Sequence, residues 1–381
     1  MPGKQGKRGN NDGTIMKRSD GRWHGRLTVA DGKRKHVYGR TRQEVARRMI
    51  EVQHDLESGL PILDERQTVA QFLQTWIEIA KSQIRGSSWR RYSDYVRVHL
   101  VPGLGKIPLA KLNAQHVQLF YARKLSEGLS PTTVHHIHGM FHRALKDALR
   151  MGLVQRNVTE MLRPPRRTNK EMMVLTEEQA ARFISVVKGD RFEALHVLGL
   201  TTGMREGELL GLRWQDVDLE NMTAYVRMNV QEAERGFLLA ETKTAYSRRS
   251  IKLSKLSVAA LRRHKMRQDE ERGALSRAWS ASLDLVFPNT LGGIMIPDNL
   301  AKRSFKPLAQ KAGFLPEMRF HDLRHTAATL LLSRGVNVKV VSEMLGHADI
   351  SITLRIYAHV IPNMQQVAAD VMDSMFAARV E

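Results

Sequence analysis

Residues 319–359, RFHDLRHTAATLLLSRGVNVKVVSEMLGHADISITLRIYAH, hold too many helix stops for one long helix. Ala327, Leu330 and Leu331 recur at helical spacing, and Gly335 follows where the left-handed cap that glycine adopts cheaply would end the run. A second helix is expected from about Val338 to Leu345, stopping at Gly346, and a third after Asp349, a good N-cap, carrying Tyr357. Asp322 and His321 open the first of these three short helices. His321 and Arg324 are three apart, so that helix presents an imidazole and a cation on one face.

Lys and Arg outnumber Asp and Glu by 60 to 39, and the resulting charge of +21 is the footprint of a partner rich in phosphate. No apolar run approaches the roughly 18 residues of a spanning helix, and there is no strongly basic amphipathic anchor, so a membrane partner is not expected. The first eleven residues lack the apolar core of a signal peptide, which predicts a cytoplasmic protein. With no cysteine, disulfide staples, thiolate catalysis and cysteine zinc sites are excluded. His135, His136 and His138 cluster on a helical pattern without a carboxylate at ligand spacing; we expect no metal there, and read them as solvated or facing a polyanion.

The 381 residues are long enough for several domains, and 42% hydrophobic content suffices to give each a core. Through Arg48 there are fourteen basic residues against four acidic ones, about half the net charge of the chain. In this stretch GTIMKRS, RWHGRLTVA and KRKHVYG are separated by Ser-Asp-Gly and Asp-Gly turn signals, and a helix follows from Thr41 to about Ser58. The expectation is a domain over 1–60, a three-stranded sheet backed by one helix, with Arg22, His24 and Arg26 on the sheet face that meets DNA. Residues 61–66 read as a connector.

Residues 66–162 turn helical, with Ser87 or Ser88, Asn113 and Ser130-Pro131 standing where helices start and Gly128 and Gly152 where they end. Arg85, Arg90, Arg91, Lys124 and Arg143, with Trp89 and Arg97, are candidate phosphate contacts on this bundle. RPPRRTNKEM (163–172) reads as a basic linker. The last domain, 173–381, opens on a capping-box-like Thr176-Glu177-Glu178-Gln179. A helix over 192–200 leads to the turn at 201–205, three strands are expected at 223–230, 237–242 and 248–253, and Lys243 falls at a hairpin tip. The fold class is thus multidomain and mainly α, with a small N-terminal sheet and an α+β C-terminal domain. A final helix from Pro362 carries Val367, Ala368, Val371, Met372 and Met375 along one side.

HDLRHT (321–326), LGH (345–347) and Tyr357 ten residues after His347 resemble the C-terminal boxes of the tyrosine recombinase (phage integrase) family. TTGMREGELLGLRWQDVD (201–218) is similar to its first arginine box, and ETKTAYSRRSIKL (241–253) to its β-hairpin. The matches run in the family's order across most of 172–360. They imply catalytic roles for Arg205, Lys243, His321, Arg324, His347 and Tyr357, with Glu208 supporting Arg205. The helical region resembles the family's core-binding domain, though Asn157-Val158-Thr159 stands where the family often has Asn-Pro-Ala. The N-terminal module resembles the arm-type DNA-binding domain that some integrases carry.

Such residue types suit a phosphodiester. Guanidinium forks match its non-bridging oxygens, as the Arg205 and Arg324 side chains could. His347 can donate to the same oxygens, Lys243 can protonate the leaving 5′-oxygen, and the resemblance places His321 as base or orienting group. Tyr357 as nucleophile would leave a 3′-phosphotyrosine that stores the bond energy, so no cofactor, ATP or metal is expected. The resemblance further implies a homotetramer on two double-stranded DNA sites, with an excision factor or a host DNA-bending protein as possible partners. Within the family a resolvase of the Xer type is the alternative; outside it, a non-catalytic DNA-binding regulator. His325, Asp322 and the leucines at 330–332 are read as folding residues.

Overall fold

The computed structural model describes residues 13–28, 34–57, 66–168, 172–233, 236–242, 248–280, 282–358 and 364–376. The connector at 61–65, the linker residues 169–171 and Lys243 lie outside them. The chain forms two compact units, 1–169 and 170–381.

In the first unit, β1 (Thr14–Lys17), β2 (Trp23–Thr28) and β3 (Arg34–Gly39) form an antiparallel sheet in that order, followed by α1 (Arg42–Glu57). Leu27 and Val37 bury against Val45 and Met49 of α1. The period of two therefore leaves His24, Arg26, His36 and Tyr38 on the other face, where His24 stacks on both His36 and Tyr38 at 4.9 and 4.8 Å. Arg22 sits in the turn before β2 rather than on the sheet, exposed, with Asp20 3.9 Å away.

The helical part begins with α2 (Val69–Lys81), whose Thr68 and Gln71 form a capping box. α3 (Gly86–Asp94) passes through a π-helical turn, Tyr95–Leu100, into α4 (Val101–Leu104). The N-cap of α3 is Arg85, two or three residues before the serine caps expected from the sequence. α5 (Ala114–Ser126) and α6 (Pro131–Arg150) start where expected, on Asn113 and Ser130. Val134, Ile137, Met140, Phe141, Ala144, Leu145 and Ala148 line the inner face of α6 at three- and four-residue spacing. Phe141 is fully buried, and truncating such a ring to alanine costs about 3–5 kcal/mol.

The histidine cluster is partly structural, not solvated. His138 hydrogen-bonds the Tyr121 hydroxyl at 2.9 Å and His135 meets the Pro165 carbonyl at 3.1 Å; only His136 of the three is exposed. Asn157, which the family pattern shares, and Thr159, where the sequence departs from it, are buried and bond His142, so the substituted motif closes its own polar knot.

In the second unit α7 (Glu177–Val187) is followed by α8 (Glu193–Thr202), a helix apolar nearly all round and buried from Glu193 to Leu200. It packs on α10 (Lys255–Leu275) and α13 (Phe320–Ser333). Between these lie α9 (Glu206–Leu210) and β4 (Val217–Asp218), β5 (Thr223–Val226), β6 (Met228–Glu232), β7 (Phe237–Glu241) and β8 (Arg249–Lys252). The single strand expected over 223–230 is broken at Arg227: β5 joins β4 and β8, while β6 pairs with β7. α11 (Pro297–Leu300) and α12 (Lys306–Lys311) flank a second π turn, Ala301–Phe305. α14 (Val338–Leu345), α15 (Ile350–Tyr357) and α16 (Met364–Phe376) complete the chain. No helix of the described residues is long and apolar enough to cross a membrane.

Candidate active site

Two tight turns position the site. Gly203 ends α8 at φ +61°, and a Cβ there would lie 2.6 Å from Leu345 Cδ2. Gly346 ends α14 at φ +69°, and its Cβ would lie 2.8 Å from Arg249 Nη1. Glycine is needed at both on conformation and on space.

The carbonyls exposed by these turns hold the arginines. Arg324, buried on α13, donates from Nη1 to the Gly203 carbonyl at 2.6 Å and from Nη2 to the Leu345 carbonyl at 2.7 Å. Burial, with Arg205 close by, pushes it down to about 9, so it stays protonated at neutral pH. Arg205 is the N-cap residue of α9; its Nη1 donates to Glu208 Oε1 at 2.8 Å, and its backbone N–H to Glu208 Oε2 at 3.0 Å. Its side chain remains 39% exposed, enough to meet a ligand.

Glu208 is buried. Burial alone would raise its carboxyl, but hydrogen bonds and charge from Arg249 and Arg205 hold it below the usual carboxylate range. Arg249 Nη2 donates to Oε2 at 2.8 Å and its Nε to the Met344 carbonyl at 2.6 Å. Arg249 also lines a cavity of about 570 Å³ together with Arg213, Arg227 and Arg248. Arg205 and Arg249 thus set two guanidiniums on the Glu208 carboxylate, while Arg213 and Arg227 pair with Asp216.

His347 follows the Gly346 turn and pairs through Nδ1 with Thr353 Oγ1 at 2.8 Å. With Thr353 donating, the proton is fixed on Nε2, which becomes a donor. Partial burial and the fields of Arg324, Arg205 and Arg249 push its imidazole down to about 4, so the ring is neutral. His321 is pushed down to about 4 by desolvation, His325 and Arg324, although the residue is exposed at the surface.

Tyr357 ends α15 with 1% of its surface exposed, packed among Ala328, Leu332, Val341 and Leu345. Its hydroxyl is 2.7 Å from Nδ1 of His325. Burial pushes the phenol up to about 12 even though Arg324 pulls it down. Tyr357 is therefore both a core aromatic and a hydrogen-bonded hydroxyl.

Of the residues expected from the sequence, Arg324 is held by the Gly203 and Leu345 carbonyls, Arg205 by Glu208 and, at 3.4 Å, the Gly346 carbonyl, and His347 and Tyr357 stand on the adjoining turn and helix. Lys243 falls outside the described residues. Two residues that sequence reasoning passed over belong here. Arg249 shares the inward face of β8 with buried Ile251, and a charge on an inward strand position is the signal that could have found it. His325, read as a folding residue, touches the Tyr357 hydroxyl; it lies one turn from His321, at the helical spacing of four. Asp322, also assigned to folding, does cap: it is fully buried and accepts the Arg319 N–H at 2.8 Å.

On the helical bundle, Arg85, Arg91 and Arg143 are exposed and Arg90 is half-buried. Lys124 is not on that surface: it is buried, with Nζ 2.7 Å from Glu127, because it closes the last turn of α5 over Phe120. Among the described residues no group of three His, Asp or Glu could hold a metal ion.

Residues 173–364 match the model of the phage integrase family, and 68–125 match the phage integrase N-terminal SAM-like domain. The chain is 28% identical to a tyrosine recombinase XerC-like protein of Caldanaerobacter subterraneus, over 94% of its own length and 97% of that protein. It is 30% identical to an integrase of Streptomyces ambofaciens, over 91% and 90%. The structure of the Tn1549 transposon integrase in complex with a circular intermediate DNA superposes with a TM-score of 0.69 at 21% identity, covering 80% of this chain and 99% of that one.

Proposed function

The chain belongs to the phage integrase family of tyrosine-type site-specific recombinases, and on that premise we propose how its own residues cut and rejoin DNA. Arg205 and Arg324 bind the non-bridging oxygens of the scissile phosphate, and His347 donates to the same oxygens. Tyr357 attacks phosphorus and the 5′-oxygen leaves with a proton from Lys243. The product is a 3′-phosphotyrosine, which conserves the energy of the broken bond; a 5′-hydroxyl from the partner strand can then displace the tyrosine without another energy source. The observation that carries this reading is the pair of guanidiniums, Arg205 held by buried Glu208 and Arg324 by the Gly203 and Leu345 carbonyls, beside the helix that ends in Tyr357.

Around that centre, 173–381 is the catalytic domain, 66–162 the core-binding domain, 163–172 the linker, and 1–60 an arm-type DNA-binding domain that uses the His24, Arg26, His36 and Tyr38 face. Integration or excision of a mobile element is the reaction this organisation serves. The likeness to a XerC-like relative over nearly the whole chain favours resolution of chromosomes or plasmids as the second reading. Residues 369–376 of α16 are all exposed, Met372, Met375 and Phe376 among them. We assign this helix to docking on a second copy in a DNA-bound tetramer. Deleting residues after Pro362 should spare single-site binding and abolish strand exchange; loss of folding would place α16 on its own domain instead.

The test of the central reading is covalent-complex formation on duplex DNA enriched by binding from a random library, with chelator present, followed by denaturing electrophoresis. A protein–DNA band from the wild type and none from Tyr357→Phe is expected. Tight binding with no covalent product would favour a regulator.

A further inference from the structure

α13 sets His321, Arg324 and His325 within two turns, and only one of them reaches the Tyr357 hydroxyl. We infer that His325 is the base that takes the phenolic proton when Tyr357 attacks phosphorus, and returns it when the strand is rejoined. This rests on Tyr357 being the nucleophile, as proposed above.

Geometry carries the assignment. His325 Nδ1 lies 2.7 Å from Tyr357 Oη, the only side-chain hydrogen bond to that hydroxyl among the described residues. The residues on either side are anchored: Arg324 by two backbone carbonyls, and Thr326 by donating to the Asp322 carbonyl at 2.9 Å and accepting the Leu175 N–H at 3.1 Å. The imidazole is thus carried on a fixed turn of helix. His321 stands edge-on to it, ring centroids 5.0 Å apart at 85°, one ring further from the hydroxyl. Of the two roles that the family resemblance left open for His321, base or orienting group, the base falls to its neighbour one turn along.

The direction of the bond follows from its surroundings. His321, Asp322, Arg324 and Arg319 on α13 and its N-cap, Tyr357 on α15, and His347 after α14 all face or influence His325. Desolvation, and the guanidiniums of Arg324 and Arg319 against the opposing pull of Asp322, keep its imidazole below the ordinary histidine range. It is neutral at working pH and has one acceptor nitrogen. Tyr357 is protonated, so the phenol donates and Nδ1 accepts. In the forward step the Oη–H bond breaks and the proton moves to Nδ1, Oη bonds to phosphorus, and the P–O5′ bond breaks with the leaving oxygen protonated by the acid. In the reverse step the incoming 5′-hydroxyl returns its proton to the acid as O5′ bonds to phosphorus, the P–Oη bond breaks, and the departing phenol oxygen recovers its proton from Nδ1.

The experiment measures single-turnover covalent-complex formation on the enriched duplex, made with either a normal scissile phosphate or a 5′-bridging phosphorothioate. The thiolate leaves without an acid, so the sulfur substrate rescues loss of the acid but not loss of the base. His325→Gln keeps a hydrogen-bonding side chain but cannot take the proton. It should slow both reactions by about 100-fold or more, the usual scale of general-base catalysis, and leave single-site affinity unchanged. The wild-type rate should level off above the pKa of His325, whereas the variant should continue to rise with pH as hydroxide takes over. Added imidazole should restore part of the rate to His325→Ala. Should the variants not fold, the wild-type profile alone decides: a rate still rising tenfold per pH unit at pH 9 overturns the inference. So does a His325→Gln rate within about threefold of wild type with the same profile, far inside the range for a lost base. A covalent product from Tyr357→Phe would instead overturn the nucleophile assignment itself.

Discussion

Replacing Arg249 by methionine removes the cation that holds Glu208 from the β8 side while filling much of the same space. The two side chains are 7% and 3% exposed, so the carboxylate cannot turn to water for compensation. Breaking a buried pair from one side costs about 3–5 kcal/mol. Here Glu208 keeps the guanidinium and backbone N–H of Arg205, which puts the expected loss at the lower end, about 3 kcal/mol. For a unit of this size that is a fall in Tm of roughly 6–12 °C. Scanning calorimetry of the full chain reads it directly. The double variant Arg249→Met/Glu208→Leu removes both charges and should be more stable than Arg249→Met alone, because no charge is left buried without its partner. A single-variant loss below about 1 kcal/mol would refute the reasoning, since that is the scale of an exposed pair. So would a double variant no more stable than the single.

Three other expectations follow from the same structure. Gly203→Ala forces a Cβ to 2.6 Å from Leu345 at positive φ, and should cost about 1–3 kcal/mol and displace the carbonyl that holds Arg324; covalent-complex formation should fall more than DNA binding. Asn113→Ala removes the capping box of α5 and should cost about 1 kcal/mol by urea denaturation, with DNA cleavage retained. His196, buried among Phe183, Phe305 and Phe320, is driven down to about 3 by desolvation. The unfolded chain takes up a proton below about pH 6.5 that the folded one refuses, so this stabilisation is full above pH 6.5 and is lost as pH falls toward 3. Between pH 7.5 and 5 it should amount to about 2 kcal/mol, and a His196→Leu/Ser304→Ala variant should lack that share of the pH dependence; equal slopes would refute it.

The short-range signals in the sequence were the readable ones. Asn113, Ser130 and Asp349 cap helices where their side chains predict, and Gly203, Gly335 and Gly346 adopt the positive φ that only glycine takes cheaply. What local pattern could not show depends on partners far along the chain. The run 223–230 reads as one strand, but its first half pairs with β8 and its second with β7, so the break at Arg227 is set by register with segments not yet folded. The helix through residues 86–104 reads as continuous; it widens into a π turn before Pro102, as the helix before Pro307 also does, where proline removes an N–H from the ladder. His325 and Arg249 escaped for the same reason. Their meaning lies in Tyr357, 32 residues away, and Glu208, 41 away.

The use of main-chain oxygens to hold Arg324 bears on how freely a protein of this kind can diverge. A carbonyl belongs to every residue type, so the side chain that accompanies it can change without altering what Arg324 bonds to, as long as the corner itself survives. Random substitution around the site should therefore be tolerated at many neighbouring positions and punished sharply at Gly203 and Gly346. Variants selected for new DNA targets can accumulate changes close to the chemistry, and the place to leave untouched in such a library is the pair of corners rather than the lining of the site.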